Sequence, residues 1–357
     1  MPMLPLLIGI EGTELTAEEE SLFRRMQPAG YILFSRNIED YEQTRELTDA
    51  LRRLTTGGDS PIIAIDQEGG RVVRTGQIGF RLPSAAALAA TRSEHMVRQA
   101  AYYTVRGLLT LGVNTDLAPV LDFASQRANA LSGRCWGCES QSVTSMAGVW
   151  NRAVCRQGIM TCGKHFPGMG EAKVDPHFGL PTLETTREGF LAEPSVPFMA
   201  LMPELPSLMI AHLMVPHMDA QRPSSLSPEM VQSFLRDQLG YDGVVFTDDL
   251  CMGAIARQYT PAQAAALALQ AGCDAPLICH GVTEHLEAAA EAISRLPMGI
   301  LAEAQRRLEK FRMLIPQATP PMSFLEWREY VADVSAFCDQ VPEPAEENTP
   351  ASPVQSY

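Results

Sequence analysis

Short apolar runs recur along the chain, spaced so that a helix fits between most neighbours. They are Leu6–Ile10, Tyr31–Phe34, Ile62–Ile65, Val113–Leu117, Ile159–Cys162, Leu208–Ala211, Val244–Phe246 and Ala275–Cys279. Runs that are apolar nearly throughout, rather than alternating, are the mark of strands buried on both faces. Helical periodicity fills the intervals at Ala17–Met26, Tyr41–Leu54, His95–Leu111, Ser142–Gln157, Pro228–Leu239, Pro261–Ala271 and His285–Arg295. Start signals support several of these, with Thr16 ahead of Glu18-Glu19-Glu20 and Ser227 ahead of Pro228, because a hydroxyl caps free backbone N–H groups and proline suits the first turn.

Alternation of strand and helix predicts a parallel sheet with right-handed crossovers. Roughly eight strands favour an α/β fold of the closed (β/α)8 TIM-type barrel over an open sheet. No G-x-G-x-x-G follows the first strand and no G-x-x-x-x-G-K-[ST] occurs, so the nucleotide-binding α/β folds lose ground. The barrel is expected to occupy residues 1–315. Pro316-Gln317-Ala318-Thr319-Pro320-Pro321 breaks the pattern, a linker and one more helix near Phe324–Asp339 fill 316–341, and the acidic, Pro-rich tail 342–357 is expected to be disordered.

Composition narrows the partners. The 357 residues, 46% of them hydrophobic and 20% charged, suffice for one large core. A net charge of −14 without a compensating basic run argues against nucleic acid or an anionic membrane as partner. Eight scattered cysteines in a chain of this size fit a reducing compartment. The N-terminus lacks a basic stretch and meets Glu11 early, which suits a first strand better than a secretion signal, and no apolar run would span a bilayer. A monomeric cytoplasmic protein is the expectation. Cys135 and Cys138 form a lone C-x-x-C, for which a packing role is favoured over zinc.

A barrel should carry its chemistry where the strands end. Ile62–Ile65 leads into Asp66-Gln67-Glu68-Gly69-Gly70-Arg71, Ile159–Cys162 into Lys164-His165, Leu208–Ala211 into His212, and Val244–Phe246 into Thr247-Asp248-Asp249; the fourth strand carries Asp116, with Asp122 beyond it. So many ionisable groups on one rim are hard to ascribe to packing, because unpaired charge is costly to bury. Asp248 and Asp249 point in different directions, so one can face the barrel axis while the other caps a helix or binds a neighbour. A divalent metal is a third reading, although the H-x-H of metal-dependent barrel hydrolases is missing after the first strand.

The loop after the fifth strand is shaped by Pro167, Gly168 and Gly170 and presents Asp175-Pro176-His177. Proline fixes its own φ and pushes the preceding residue toward extended backbone, where residues two apart point the same way. An Asp beside a His orients the ring and stabilises the imidazolium; a surface turn without a role is the competing reading. A retaining glycosidase needs an attacking group and an acid/base. Asp248 on a rigid strand end suits the first, and His177 poised by Asp175 suits the second.

Three separated segments, Ile65-Asp66-Gln67-Glu68-Gly69-Gly70-Arg71-Val72, the loop Lys164–His177, and Phe246-Thr247-Asp248-Asp249-Leu250-Cys251-Met252, together resemble glycoside hydrolase family 3, over about Leu6 to Phe311. The likeness is greatest to its single-domain bacterial β-N-acetylhexosaminidases. The resemblance implies a (β/α)8 barrel that removes a terminal β-linked N-acetylglucosamine with retention and without cofactor or metal. It also implies Asp248 as nucleophile, His177 as proton donor and acceptor, Asp175 as its partner, and Asp66, Arg74, Arg134, Lys164 and His165 as residues that hold the sugar. The role associated with these relatives is peptidoglycan turnover, with muropeptides as substrates. A β-glucosidase or β-xylosidase of the same family, or a metal-dependent barrel hydrolase, stays open. Three positions depart from the family pattern: Met169 for a usual histidine, Pro176 for a small hydroxyl residue, and Cys138-Glu139-Ser140 for Ser-Asp-Pro.

Overall fold

Parallel strands buried on both faces must be covered by helices on one side and by one another on the other, and a closed barrel does both. The computed structural model describes residues 3–56, 60–123, 131–170 and 179–343. Its strands are β1 (Leu4–Gly9), β2 (Pro28–Leu33), β3 (Ile62–Ile65), β4 (Gln67–Gly69), β5 (Val72–Val73), β6 (Thr115–Asp116), β7 (Met160–Phe166), β8 (Ser207–Ile210), β9 (Val244–Asp249) and β10 (Ala275–Ile278). Eight of them close a barrel in the order β1-β10-β9-β8-β7-β6-β3-β2, while β4 and β5 form a separate antiparallel hairpin. The expected (β/α)8 barrel is therefore the fold.

The side chains divide by parity. Leu7, Ile62, Ala64, Met160, Cys162, Val244 and Phe246 belong to the barrel interior, whereas their neighbours Leu6, Ile8, Ile63, Ile65 and Val245 pack outward in the larger layer under the helices. Helix Met298–Leu314 joins the interior cluster through Leu308 and Phe311. This helix is not evident in the apolar pattern, because Met298, Met313 and Leu314 are exposed and blur its apolar face.

Three differences from the expected elements bear on the site. First, β7 runs on to Phe166, so Lys164 and His165 lie within the strand rather than after it, and β9 likewise reaches Asp249. Second, the fourth barrel strand, expected over Val113–Leu117, is ladder-paired only at Thr115–Asp116. Third, the β4–β5 hairpin follows β3 where the sequence reading has only a polar motif. The appended helix is Phe324–Cys338, started by a Ser323–Glu326 capping box. The expectation for the tail falls on residues that, beyond Glu343, lie outside those described. Among the described residues no helix is long and apolar enough to cross a membrane.

Candidate active site

Two-residue alternation decides what faces the axis. Asp66 continues the inward parity of Ile62 and Ala64, Lys164 that of Met160 and Cys162, and Asp248 that of Val244 and Phe246. All three stand at the C-terminal ends of their strands, on one rim. The contact between Lys164 Nζ and Asp66 Oδ1, 2.6 Å, bears out this geometry across the barrel mouth.

At the rim a charged cluster forms. Asp66 accepts from Lys164 and, at 3.2 Å, from Arg74 Nη2. Glu68, on β4, takes the Arg134 guanidinium through Nε and Nη2, both at 2.8 Å, and Lys164 Nζ at 2.7 Å. Burial alone would raise both carboxyls, but Lys164 and Arg74 hold Asp66, and Arg134 and Lys164 hold Glu68, below the usual carboxylate range. Burial likewise opposes the charge on Lys164, yet Asp66 and Glu68 push its pKa up, so it is firmly cationic. Asp116 is buried and accepts from the Gln67 N–H at 3.0 Å, and burial drives its carboxyl well above the usual carboxylate range.

His165 is set by its neighbours. Its Nδ1 lies 2.8 Å from Asp122 Oδ2, and its Nε2 lies 3.5 Å from Arg134 Nη2. A carboxylate can only accept and a guanidinium can only donate, so the Nδ1–H tautomer satisfies both. Asp122 also accepts from the backbone N–H groups of His165, at 3.1 Å, and Met169, at 2.7 Å. Met169 thus serves the site through its backbone, while its side chain packs with Val120, Leu131 and Cys135. Cys135 and Cys138 are free thiols, the first buried and donating to the Leu131 carbonyl, the second exposed.

The Thr247-Asp248-Asp249 triplet separates into roles. Thr247 Oγ1 accepts from the Leu277 N–H at 3.1 Å, and Asp249 Oδ1 from the Cys279 N–H at 3.1 Å and the Cys251 N–H at 3.0 Å. These two side chains bind β10 at the point where its register against β9 shifts. His212 is buried, with Nδ1 2.7 Å from Ser225 Oγ and Nε2 donating to the Asp249 carbonyl at 2.9 Å, so it braces β9 from behind. Asp248 is partly exposed and accepts a hydrogen bond from the Asp249 N–H at 2.9 Å.

Burial, against the two backbone donors, raises the Asp249 carboxyl to about 6. A native pKa above the unfolded value near 3.8 means a contribution to stability that is complete below pH 3.8 and lost as pH rises through about 6. An Asp249→Asn variant, still able to accept those N–H groups, has no such loss. Its stability relative to the parent is expected to grow by up to about 3 kcal/mol between pH 4 and pH 7, read from urea unfolding across that range. A difference independent of pH would contradict the assignment.

Of the residues singled out from sequence, the structure brings Asp66, Arg74, Arg134, Lys164 and His165 together and sets Asp248 on the same rim; Asp175, Pro176 and His177 lie outside the described residues. Sequence reasoning placed Glu68 and Asp122 among the rim groups but gave them no role. Charge counting favours a role for Glu68, the acceptor that buried Lys164 and Arg134 share.

The profile of the glycosyl hydrolase family 3 N-terminal domain matches residues 6–311. The chain belongs to glycosyl hydrolase family 3. It is 35% identical over 302 residues to a β-hexosaminidase of Pseudomonas aeruginosa, covering 84% of this chain and 90% of that one. NagZ from Neisseria gonorrhoeae in complex with N-trifluoroacetyl-D-glucosamine superposes with a TM-score of 0.78 at 26% identity, covering 95% of this chain and 99% of that one. A fungal multi-domain family 3 β-N-acetylglucosaminidase superposes with a TM-score of 0.88 at 30% identity and 94% coverage of this chain, which spans only 42% of that longer protein. As a family 3 member the chain is a glycoside hydrolase, and the Lys164–Asp66 and Arg134–Glu68 pairs lie inside the matched region.

Proposed function

We propose that this chain is a retaining exo-β-N-acetylglucosaminidase that removes terminal N-acetylglucosamine from peptidoglycan-derived muropeptides. The observation that carries the reading is the Asp66 carboxylate, kept charged by Lys164 and Arg74 at the barrel mouth with lone pairs left over. Such a group accepts hydrogen bonds from sugar hydroxyls, and charge-assisted bonds are the stronger kind. The β-hexosaminidase and NagZ relatives support the choice of an N-acetylated sugar.

In the proposed mechanism the Asp248 carboxylate attacks the anomeric carbon while His177 delivers a proton to the departing glycosidic oxygen. The glycosyl ester formed on Asp248 is then opened by water, whose proton returns to His177, and Asp248 is released as carboxylate. Asp175 orients His177. Arg134 and His165, with little exposed surface, contact the sugar by their tips, and Lys164 and Arg74 act through Asp66. No cofactor or metal takes part in these steps.

The test is hydrolysis of an aryl β-N-acetylglucosaminide beside the matching aryl β-glucoside, with the first-formed anomer followed by proton NMR. The expected result is a kcat/KM at least about 100-fold higher for the N-acetylated sugar, a preference of about 2.7 kcal/mol, with the β anomer appearing first. Preference for the glucoside would overturn the sugar, and an α product would overturn retention.

A further inference from the structure

The family match stops at Phe311, yet the chain continues along the barrel and ends its described course against the loops that build the site. Helix Phe324–Cys338 lays Trp327 on Tyr41 with ring centroids 5.0 Å apart, and Tyr330 edge-on to Phe80 at 5.6 Å. The Phe80 carbonyl in turn accepts from Gln67 Nε2 at 3.2 Å, and Gln67 Oε1 accepts from the Arg74 N–H at 3.1 Å. Cys338 Sγ donates to the Arg81 carbonyl. Five residues on, Glu343 closes the run upon Ser84, whose N–H donates to Oε1 at 2.7 Å and whose hydroxyl donates to Oε2 at 2.6 Å.

Ser84 stands at a junction. The Gly70 N–H donates to the Leu82 carbonyl at 2.9 Å, and the Ala86 N–H to the Gly133 carbonyl at 3.2 Å. Gly69 and Gly70 hold positive φ; a Cβ on Gly69 would strike the Pro83 carbonyl, and one on Gly70 would lie 2.5 Å from Ser84 Cβ. Glu68 precedes Gly69, Arg134 follows Gly133, and these two side chains form the doubly bonded pair at the rim. The segment from Leu82 to Ala86 is thus a bracket to which both backbones carrying the pair are fastened, and Glu343 pins the bracket from outside the matched domain.

We propose that Glu343 is a positioning residue for the Glu68–Arg134 pair, acting through Ser84, so that the C-terminal segment sets how tightly the site holds its sugar. The claim about sugar rests on the function proposed above; the claim about position does not. Glu343 acts on Ser84 and, among the described residues, has no hydrogen bond to β9, so its loss should weaken binding more than chemistry.

The experiment compares the full chain with Glu343→Ala and Glu343→Gln. Glutamine can keep both contacts by accepting from the Ser84 N–H and donating to its hydroxyl. Two readouts are taken: hydrogen exchange at the Gly70 and Ala86 amides, and KM and kcat on an aryl β-N-acetylglucosaminide. In Glu343→Ala the two amides should exchange about tenfold faster while those of β9 do not, and KM should rise about three- to tenfold with kcat within about twofold. Glu343→Gln should restore both. Unchanged exchange at Gly70 and Ala86 overturns the proposal, as does faster exchange spread over β9 with kcat falling alongside, which would mark a general loss of stability. If the parent chain hydrolyses no such sugar, the functional reading fails, and the exchange result still decides whether Glu343 positions the pair.

Discussion

Replacing Asp248 by asparagine is expected to cut kcat on an aryl β-N-acetylglucosaminide by roughly a thousandfold or more, because an amide cannot form the glycosyl ester. The fold should be indifferent. The Asp248 side chain accepts a hydrogen bond from the Asp249 N–H, and an asparagine carbonyl oxygen accepts the same bond. Its neighbours Thr247 and Asp249, not Asp248, fasten β9 to β10. The melting temperature of Asp248→Asn should therefore stay within about two degrees of the parent. A companion Asp248→Ala variant should regain turnover of activated aryl substrates with added azide, a small anion that enters where the carboxylate stood. Retention of more than about a tenth of parental kcat in Asp248→Asn would remove Asp248 as nucleophile.

The second large effect concerns folding as much as binding. Glu68→Gln is isosteric but removes the charged acceptor that Arg134 and Lys164 share in a nearly closed space. The Glu68 and Arg134 side chains are only 3% and 6% exposed. Removing one partner from such a pair costs about 3–5 kcal/mol, against roughly zero to 1 kcal/mol for an exposed pair. Urea unfolding of Glu68→Gln should show a loss of that order, whereas Glu20→Gln, whose partner Arg24 is more than half exposed, should move stability very little. Comparable small changes in both variants would contradict the buried cluster. The linkage carries a sign as well. The native pKa values of Asp66 and Glu68 are depressed, so their contribution is present above the unfolded carboxylate range and is lost as pH falls through the native values.

The strand-end motifs were readable because their chemistry is local. Asp66, Lys164 and Asp248 each follow an apolar run whose parity assigns them to the interior. The separation of Asp248 from Asp249 was anticipated as two directions, but which residue took which role depended on β10, whose Leu277 and Cys279 amides need acceptors. His212 looked equal to the other strand-end groups in sequence, yet Ser225 and the Asp249 carbonyl take both of its nitrogens. Helix Met298–Leu314 was hidden for a different reason: a helix that seals a barrel end needs few apolar contacts and tolerates exposed methionines elsewhere.

By itself, then, the sequence determined the barrel, through the recurrence of doubly buried strands with helices between them, and the residues at its mouth, through their place after those strands. Only the tertiary structure decided how the charges are shared. Glu68 meets Arg134 across 66 positions of chain, and Ser84 meets Glu343 across 259. Hydrophobic periodicity is a property of neighbours in the chain, whereas pairing of buried charges is set by which strands and loops close upon one another. That is why Glu343 carried no signal until the fold brought it to Ser84.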